Sequence, residues 1–272
     1  MRPSSTISAF WFIADEWPWI AYSVAAIIAH VDQVVVVDQT PELHKNLLGV
    51  VAGCPPKLWF EQHCYPRVNV MDTPKYERMI NFGLSKCVCD WILWLHADHI
   101  PYNPEILRKE IAKVERKNPD ALRMSIKVKS FVRDLKHVWS GNGRRDRWPQ
   151  IVRNGHGLHY FGRYGNPEED FYFKNLTGKI HNSNWTTNVP YAVHPTEFSV
   201  AHFCELKPDA FRLERMKKAL KNQGADEKRL DELAKAHPRV SLEARPDMGF
   251  DIKPAKAGDL PKAMKGFRYG KP

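Results

Sequence analysis

Apolar side chains in the first half of the chain gather into short dense runs with polar turns between them. TISAFWFI, residues 6–13, is rich in β-branched and aromatic residues and reads as a strand. IAYSVAAIIAH, residues 20–30, predicts a helix, with Asp15 where a cap belongs and Pro18 in the first turn, where a missing N–H breaks no bond. DQVVVVD, residues 32–38, is a near-continuous β-branched run, the pattern of a strand covered on both faces. Strand, helix and strand in this order predict an α/β fold with a parallel sheet.

The same alternation continues. LWFEQH, residues 58–63, predicts a third strand. Asp72 and Pro74 open a helix through YERMINFGLSK, and DWILWL, residues 90–95, forms the next strand. Asn103 and Pro104 begin a further helix, with Leu107, Ile111 and Val114 at helical spacing. In LRMSIKVKSFV, residues 122–132, Met124, Ile126 and Val128 alternate with Arg123, Ser125, Lys127 and Lys129, which predicts a half-exposed strand with one basic face. QIVRN, LHYFG and FSVAHF are shorter strand candidates. From Pro208 the pattern becomes helical, with Phe211, Leu213, Met216 and Leu220 as the apolar members of one helix and DEKRLDELAKA as a second. Beyond Ala244 the chain is rich in Pro, Gly and Lys and has the look of a wrapped arm or a partly disordered tail. The expected organisation is residues 1–205 as one domain and residues 206–272 as a basic helical extension with an irregular tail.

Composition bounds the chemistry. With 272 residues, 43% of them apolar and 26% charged, the chain can bury a sizeable core. A formal charge of +10 favours anionic partners: nucleotide diphosphates, nucleic acid or an acidic membrane surface. Five scattered cysteines do not read as a disulfide framework, and Cys87 and Cys89 are expected to be small apolar fillers before a strand. No apolar stretch is long enough to cross a bilayer, and the N-terminus lacks a secretory signal, so a cytoplasmic protein is expected, or one of the host cytoplasm if the chain is viral.

The candidate chemistry sits at strand ends. In an open α/β sheet, ligands bind beyond the carboxyl ends of the strands. Asp38 follows VVVV, and His96, Asp98 and His99 follow WILWL. Asp38 is placed to accept hydrogen bonds from a base or ribose, and Asp98 to hold a divalent cation bridging two phosphates.

NFGLSKCVCDWILWLHADHIP resembles the segment of family 2 glycosyltransferases, of the GT-A fold, that usually reads N-x-G-L-x-x-A-x-x-D-W-I-L-x-L-D-A-D-E. TISAFWFIADEWPWI, VVVVDQTPE, PQIVRNGHGLHYFGR and FSVAHFCELKP resemble, in order, further stretches of that family, over roughly residues 5–220. The resemblance implies a Rossmann-like GT-A fold, a mixed and mainly parallel sheet flanked by helices. It also implies transfer of a sugar from a nucleotide-diphosphate donor, UDP-linked in the first instance, to an acceptor hydroxyl.

By position, Ala14, Asp15, Glu16 and Asp38 would line the nucleotide pocket, with Arg78, Asn81 and His96 near the nucleotide or diphosphate. Asp98 matches the second aspartate of D-x-D and would ligate Mn²⁺ or Mg²⁺, with His202 and His99 completing the metal site. His96 and His99 replace acidic residues of the family pattern, which softens the site toward Mn²⁺ or another transition metal.

The family's catalytic base is a carboxylate after the R-N…G stretch. Here Glu169 is the first candidate, followed by Glu168 and Asp170. Trp139, Arg144, Arg145, Arg147 and Trp148 belong to a basic span with interleaved aromatics where the acceptor would dock. Three readings stand: transfer to a saccharide, lipid-linked or small-molecule hydroxyl; transfer to a hydroxylated DNA base of the phage type; and a catalytically silent nucleotide- or nucleic-acid-binding protein on the same scaffold.

Overall fold

The computed structural model describes residues 5–14, 19–40, 47, 49–50, 52, 58–68, 72–132, 135, 137–141, 147–155, 157–161, 170–173, 193–205, 250–254, 256 and 260–264. The leading elements are β1 (Ile7–Ile13), α1 (Trp19–Ile27), β2 (Gln33–Asp38), β3 (Trp59–Cys64), α2 (Thr73–Leu84) and β4 (Trp91–Trp94). There follow β5 (His99–Pro101), α3 (Leu107–Lys117), β6 (Arg123–Val132), β7 (His137–Gly141), β8 (Arg147–Arg153) and β9 (Leu158–Phe161). The last strands are β10 (Asp170–Phe173), β11 (Val193–Glu205) and β12 (Phe250–Pro254).

The fold is the expected mixed α/β arrangement of the Rossmann-like GT-A kind. Strands β3, β2, β1 and β4 run parallel, in that spatial order. Antiparallel β8 extends them from the β4 side; β6, antiparallel to β8, runs in the direction of the parallel strands, and β7 and β12 follow. Along β6 lies parallel β11, which in turn carries the short antiparallel β5.

The alternation within β1 explains the layers. Ile7, Ala9, Trp11 and Ile13 face one core with Ile20 and Val24 of α1 and Leu107 and Ile111 of α3. Phe10 faces the other, with Val35 and Val37 of β2 and Tyr76, Met79 and Ile80 of α2. Every residue of β2 is buried, as its unbroken apolar run predicts.

Helix α2 starts as its sequence requires. The Asp72 side chain accepts from the Lys75 N–H at 3.3 Å, and Pro74 lies in the first turn. Gly83 lets this helix lie close on the sheet: a Cβ there would overlap the Phe10 ring and stand 2.9 Å from Val37 Cγ2.

Two expectations change in detail. A short 3₁₀ turn, Pro104–Ile106, precedes α3, and the Asn103 side chain makes no cap. Instead its Oδ1 accepts from the Ser199 N–H at 2.9 Å and its amide donates to the Glu197 carbonyl at 3.1 Å, tying α3 to β11. The basic face of β6 is closed over its first half: Arg123 and Ser125 are buried, while Lys127 and Lys129 are partly exposed. Lys127 pairs with Glu197, and the Lys129 ammonium lies 5.9 Å from the Tyr102 ring.

The helices expected from Pro208 onward lie outside the described residues. Strand β12 adds an edge to the sheet within the Pro- and Lys-rich tail, where the residue pattern had not predicted a strand. Cys64, Cys87 and Cys89 are free thiols, and Cys87 and Cys89 are buried fillers as expected. Burial is the main cause that pushes both of these thiols above the ordinary range. Among the described residues no helix is long and apolar enough to cross a membrane.

Candidate metal centre

Strand β4 reaches the carboxyl edge of the parallel sheet and turns there. The Leu95 N–H still donates to the Phe10 carbonyl of β1 at 2.9 Å, continuing the ladder past Trp94. Residues 96–99 then close a turn, with the His99 N–H donating to the His96 carbonyl at 3.0 Å. The turn delivers the chain into β5. The register of β5 on β11 sets His99 directly opposite His202. The Phe203 N–H donates to the Asp98 carbonyl at 3.1 Å, so β11 holds the turn from its other side.

This register brings together His96, Asp98, His99 and His202, with one ligand atom of each within 4.8 Å of all the others. Asp98, His99 and His202 are buried, and His96 is partly exposed. The His99 and His202 rings meet edge to face, with centroids 4.7 Å apart and planes at 86°. His96 stacks on His99 at 4.5 Å with an interplanar angle of 11°, and Trp94 and Phe12 flank its ring.

Neighbouring groups orient these ligands. Ser130 of β6 stands beside His202 in register, with its Oγ 3.2 Å from Nδ1, which turns Nε2 to the ring's other side. The backbone at His99 is fixed by a buried relay: Trp11 Nε1 donates to Ser23 Oγ at 3.0 Å, and Ser23 Oγ donates to the His99 carbonyl at 2.6 Å. Neither serine carries a sequence signal, because a single hydroxyl within an apolar element has no pattern.

Burial is the largest influence on His99 and pushes its pKa well below the ordinary value, with His96 and His202 acting in the same direction. Asp98 and Gln150 oppose the shift and do not outweigh it. Near neutral pH the ring is therefore an uncharged imidazole, the form that ligates metals. Donors around a first-row ion with bonds of about 2.1 Å lie no more than about 4.2 Å apart, so a small inward movement lets Asp98, His99 and His202 share one ion.

The remaining candidates divide. Asp38 lies on the same carboxyl edge, opposite Ile13 of β1, and is fully buried. Its Oδ1 accepts from the Thr40 N–H at 2.7 Å and its Oδ2 from Gln62 Nε2 at 2.7 Å, so its carboxylate shapes the exit from β2. Thr40 Oγ1 donates to the Ala14 carbonyl and joins that exit to the end of β1. Asn81 is engaged at both ends of its amide: Nδ2 donates to the Glu77 carbonyl at 2.8 Å and the Tyr160 carbonyl at 3.0 Å, and Oδ1 accepts from the Tyr160 N–H at 2.8 Å. Its side chain therefore fastens β9 to α2. Arg78 is exposed on α2.

Trp139 lies on β7, Arg147 and Trp148 on β8, and Asp170 at the start of β10, opposite Phe161. Asp15, Glu16, Arg144, Arg145, Glu168 and Glu169 lie outside the described residues.

No family model matches the chain, and no curated protein does. Among solved structures, the chain is similar to the crystal structure of S. aureus TarS 1-349, with 15% identity over 83% of this chain and 68% of that one and a TM-score of 0.42. It is also similar to the crystal structure of a mycobacterial protein, with 17% identity over 47% of this chain and 41% of that one and a TM-score of 0.33.

Proposed function

We propose that the chain is a GT-A glycosyltransferase that moves a sugar from a nucleotide-diphosphate donor, UDP-linked in the first instance, to an acceptor hydroxyl. One observation carries this reading: Asp98 and His99 of one motif and His202 of another converge at the carboxyl end of β4. That edge is where an open α/β sheet binds its ligands.

Asp98, His99 and His202 would hold a divalent metal, Mn²⁺ before Mg²⁺, beside the donor diphosphate. Bound there, a divalent cation supplies charge stabilisation to the leaving diphosphate. Asp98 contributes the negative charge of the group, and His99 contributes a neutral ring kept so by burial. The main chain around Ala14 and the exit from β2 offer the nucleotide a rigid floor, since Thr40 and Gln62 lock that turn. A carboxylate among Glu169, Glu168 and Asp170 takes the acceptor proton as the acceptor oxygen bonds to the sugar and the bond to the diphosphate breaks.

The acceptor proposed is a saccharide, lipid-linked or small-molecule hydroxyl, contacted by Trp139, Trp148, Arg144, Arg145 and Arg147. Burial of Arg123 and pairing of Lys127 with Glu197 withdraw two cations of β6 from that basic span.

The test is release of nucleotide diphosphate from UDP-sugars by the purified protein with Mn²⁺. Slow hydrolysis is expected, reduced on the order of 100-fold or more in Asp98→Ala. No turnover with any sugar nucleotide, or unchanged turnover in Asp98→Ala, would overturn the assignment and leave a nucleotide-binding protein without catalysis.

A further inference from the structure

We propose that Asp98, His99 and His202 form a two-histidine, one-carboxylate centre that takes a transition-metal ion from solution by itself, before any nucleotide binds. The inference rests on the metal-holding part of the reading above and extends it to which ion is held and when it binds.

The donors carry the argument. A Mg²⁺ site on one or two carboxylates leaves most of its coordination sphere to water and substrate phosphate, so the ion arrives with the nucleotide. Here the donors are mainly nitrogen, and three of the four residues are buried. Imidazole nitrogen suits Fe²⁺, Co²⁺ and Zn²⁺ far better than Mg²⁺. The donors are also placed by the fold and need no ligand to assemble them. His99 and His202 are a register pair across β5 and β11, Ser130 holds the His202 ring from β6, and the Trp11–Ser23 relay holds the His99 backbone.

Ring directions separate the fourth residue from the other three. The in-plane lone pairs of His99 and His202, with planes at 86°, can meet at one point. Those of His96 and His99, with planes at 11°, run side by side. His96 must therefore rotate to join the ion. It is the partly exposed member, so the position it does not fill is the one left to water or a diphosphate oxygen.

Untagged, chelator-treated protein titrated with Co²⁺ in the absence of nucleotide tests this by visible absorption. Stoichiometric growth of d–d bands is expected, reversed by Zn²⁺ and unaffected by a thousandfold excess of Mg²⁺. His202→Ala should abolish the bands. Ser130→Ala, a milder change that leaves every ligand in place, should weaken Co²⁺ binding about 10- to 100-fold, as loss of an orienting partner does. Bands that need a nucleotide, that Mg²⁺ removes at similar concentration, or that survive both substitutions unchanged would overturn the proposal. Sugar-nucleotide turnover plays no part in this readout. Metal binding without turnover sinks the transferase reading alone, and turnover by protein that takes up no Co²⁺ in the absence of nucleotide sinks this inference alone.

Discussion

His99 is fully buried against two other imidazoles, and burial is the larger of the forces that keep it neutral. Its folded pKa lies well below 6.5, the value it regains on unfolding. Between those two values the unfolded chain binds a proton that the folded chain refuses. The stability this group contributes is therefore complete above about pH 6.5 and declines as the pH falls below it. Urea unfolding of metal-free protein should show a loss approaching about 1.4 kcal/mol per pH unit between about pH 6.5 and pH 5. A flat profile across that window would show that the ring is protonated in the fold.

At this scale Asp98, His99 and His202 are readable from motif order alone, and His96 from its place in the same tetrapeptide. Ser130 and Ser23 are not, because their roles exist only through neighbours on other strands.

At the scale of elements, hydrophobic pattern and outcome agree where a dense apolar run or a sustained period marks the element. Strands β1, β2 and β4 and helix α3 follow from their apolar pattern, and helix α2 from period and its Asp72 cap. Strands β5, β7, β10 and β12 do not, because three to five residues carry too little pattern and such strands are defined by the partner they find.

Gly83 within α2 illustrates the same point. By helix propensity, Gly83→Ala should stabilise the helix by about 1 kcal/mol. The overlap of a Cβ with Phe10, itself buried between β1 and α2, opposes this, and overpacking of a core costs about 1–3 kcal/mol. The variant is expected to be less stable than the parent in chemical denaturation. A gain in stability would mean that α2 can lift away from the sheet without penalty.

For the molecule as a whole, the end of the chain contributes to the region that carries the site. Met264 is buried with Trp19, Ile100, Phe131, Val138, Ala201 and Phe203, a cluster that includes β5 and β11 residues adjacent to His99 and His202. Strand β12 covers the edge of β7. Removing residues 250–272 should expose this cluster and a bare strand edge, and loss of the Met264 contact alone is worth about 2–5 kcal/mol. The truncated chain is expected to melt at lower temperature and to aggregate, as read by thermal unfolding with light scattering. Equal stability and solubility would show that the tail is dispensable.

The amino-acid sequence by itself determined the strand–helix alternation, the doubly covered strands and the chemical identity of the residues at the β4 terminus. Those properties are local, since periodicity, caps and β-branched runs act within a few residues. The tertiary structure decided that His202 faces His99, that Ser130 holds it, and that the basic face of β6 is half interior. These outcomes depend on the register between strands far apart in the chain, which is set by the packing of the whole sheet and by no segment of it alone.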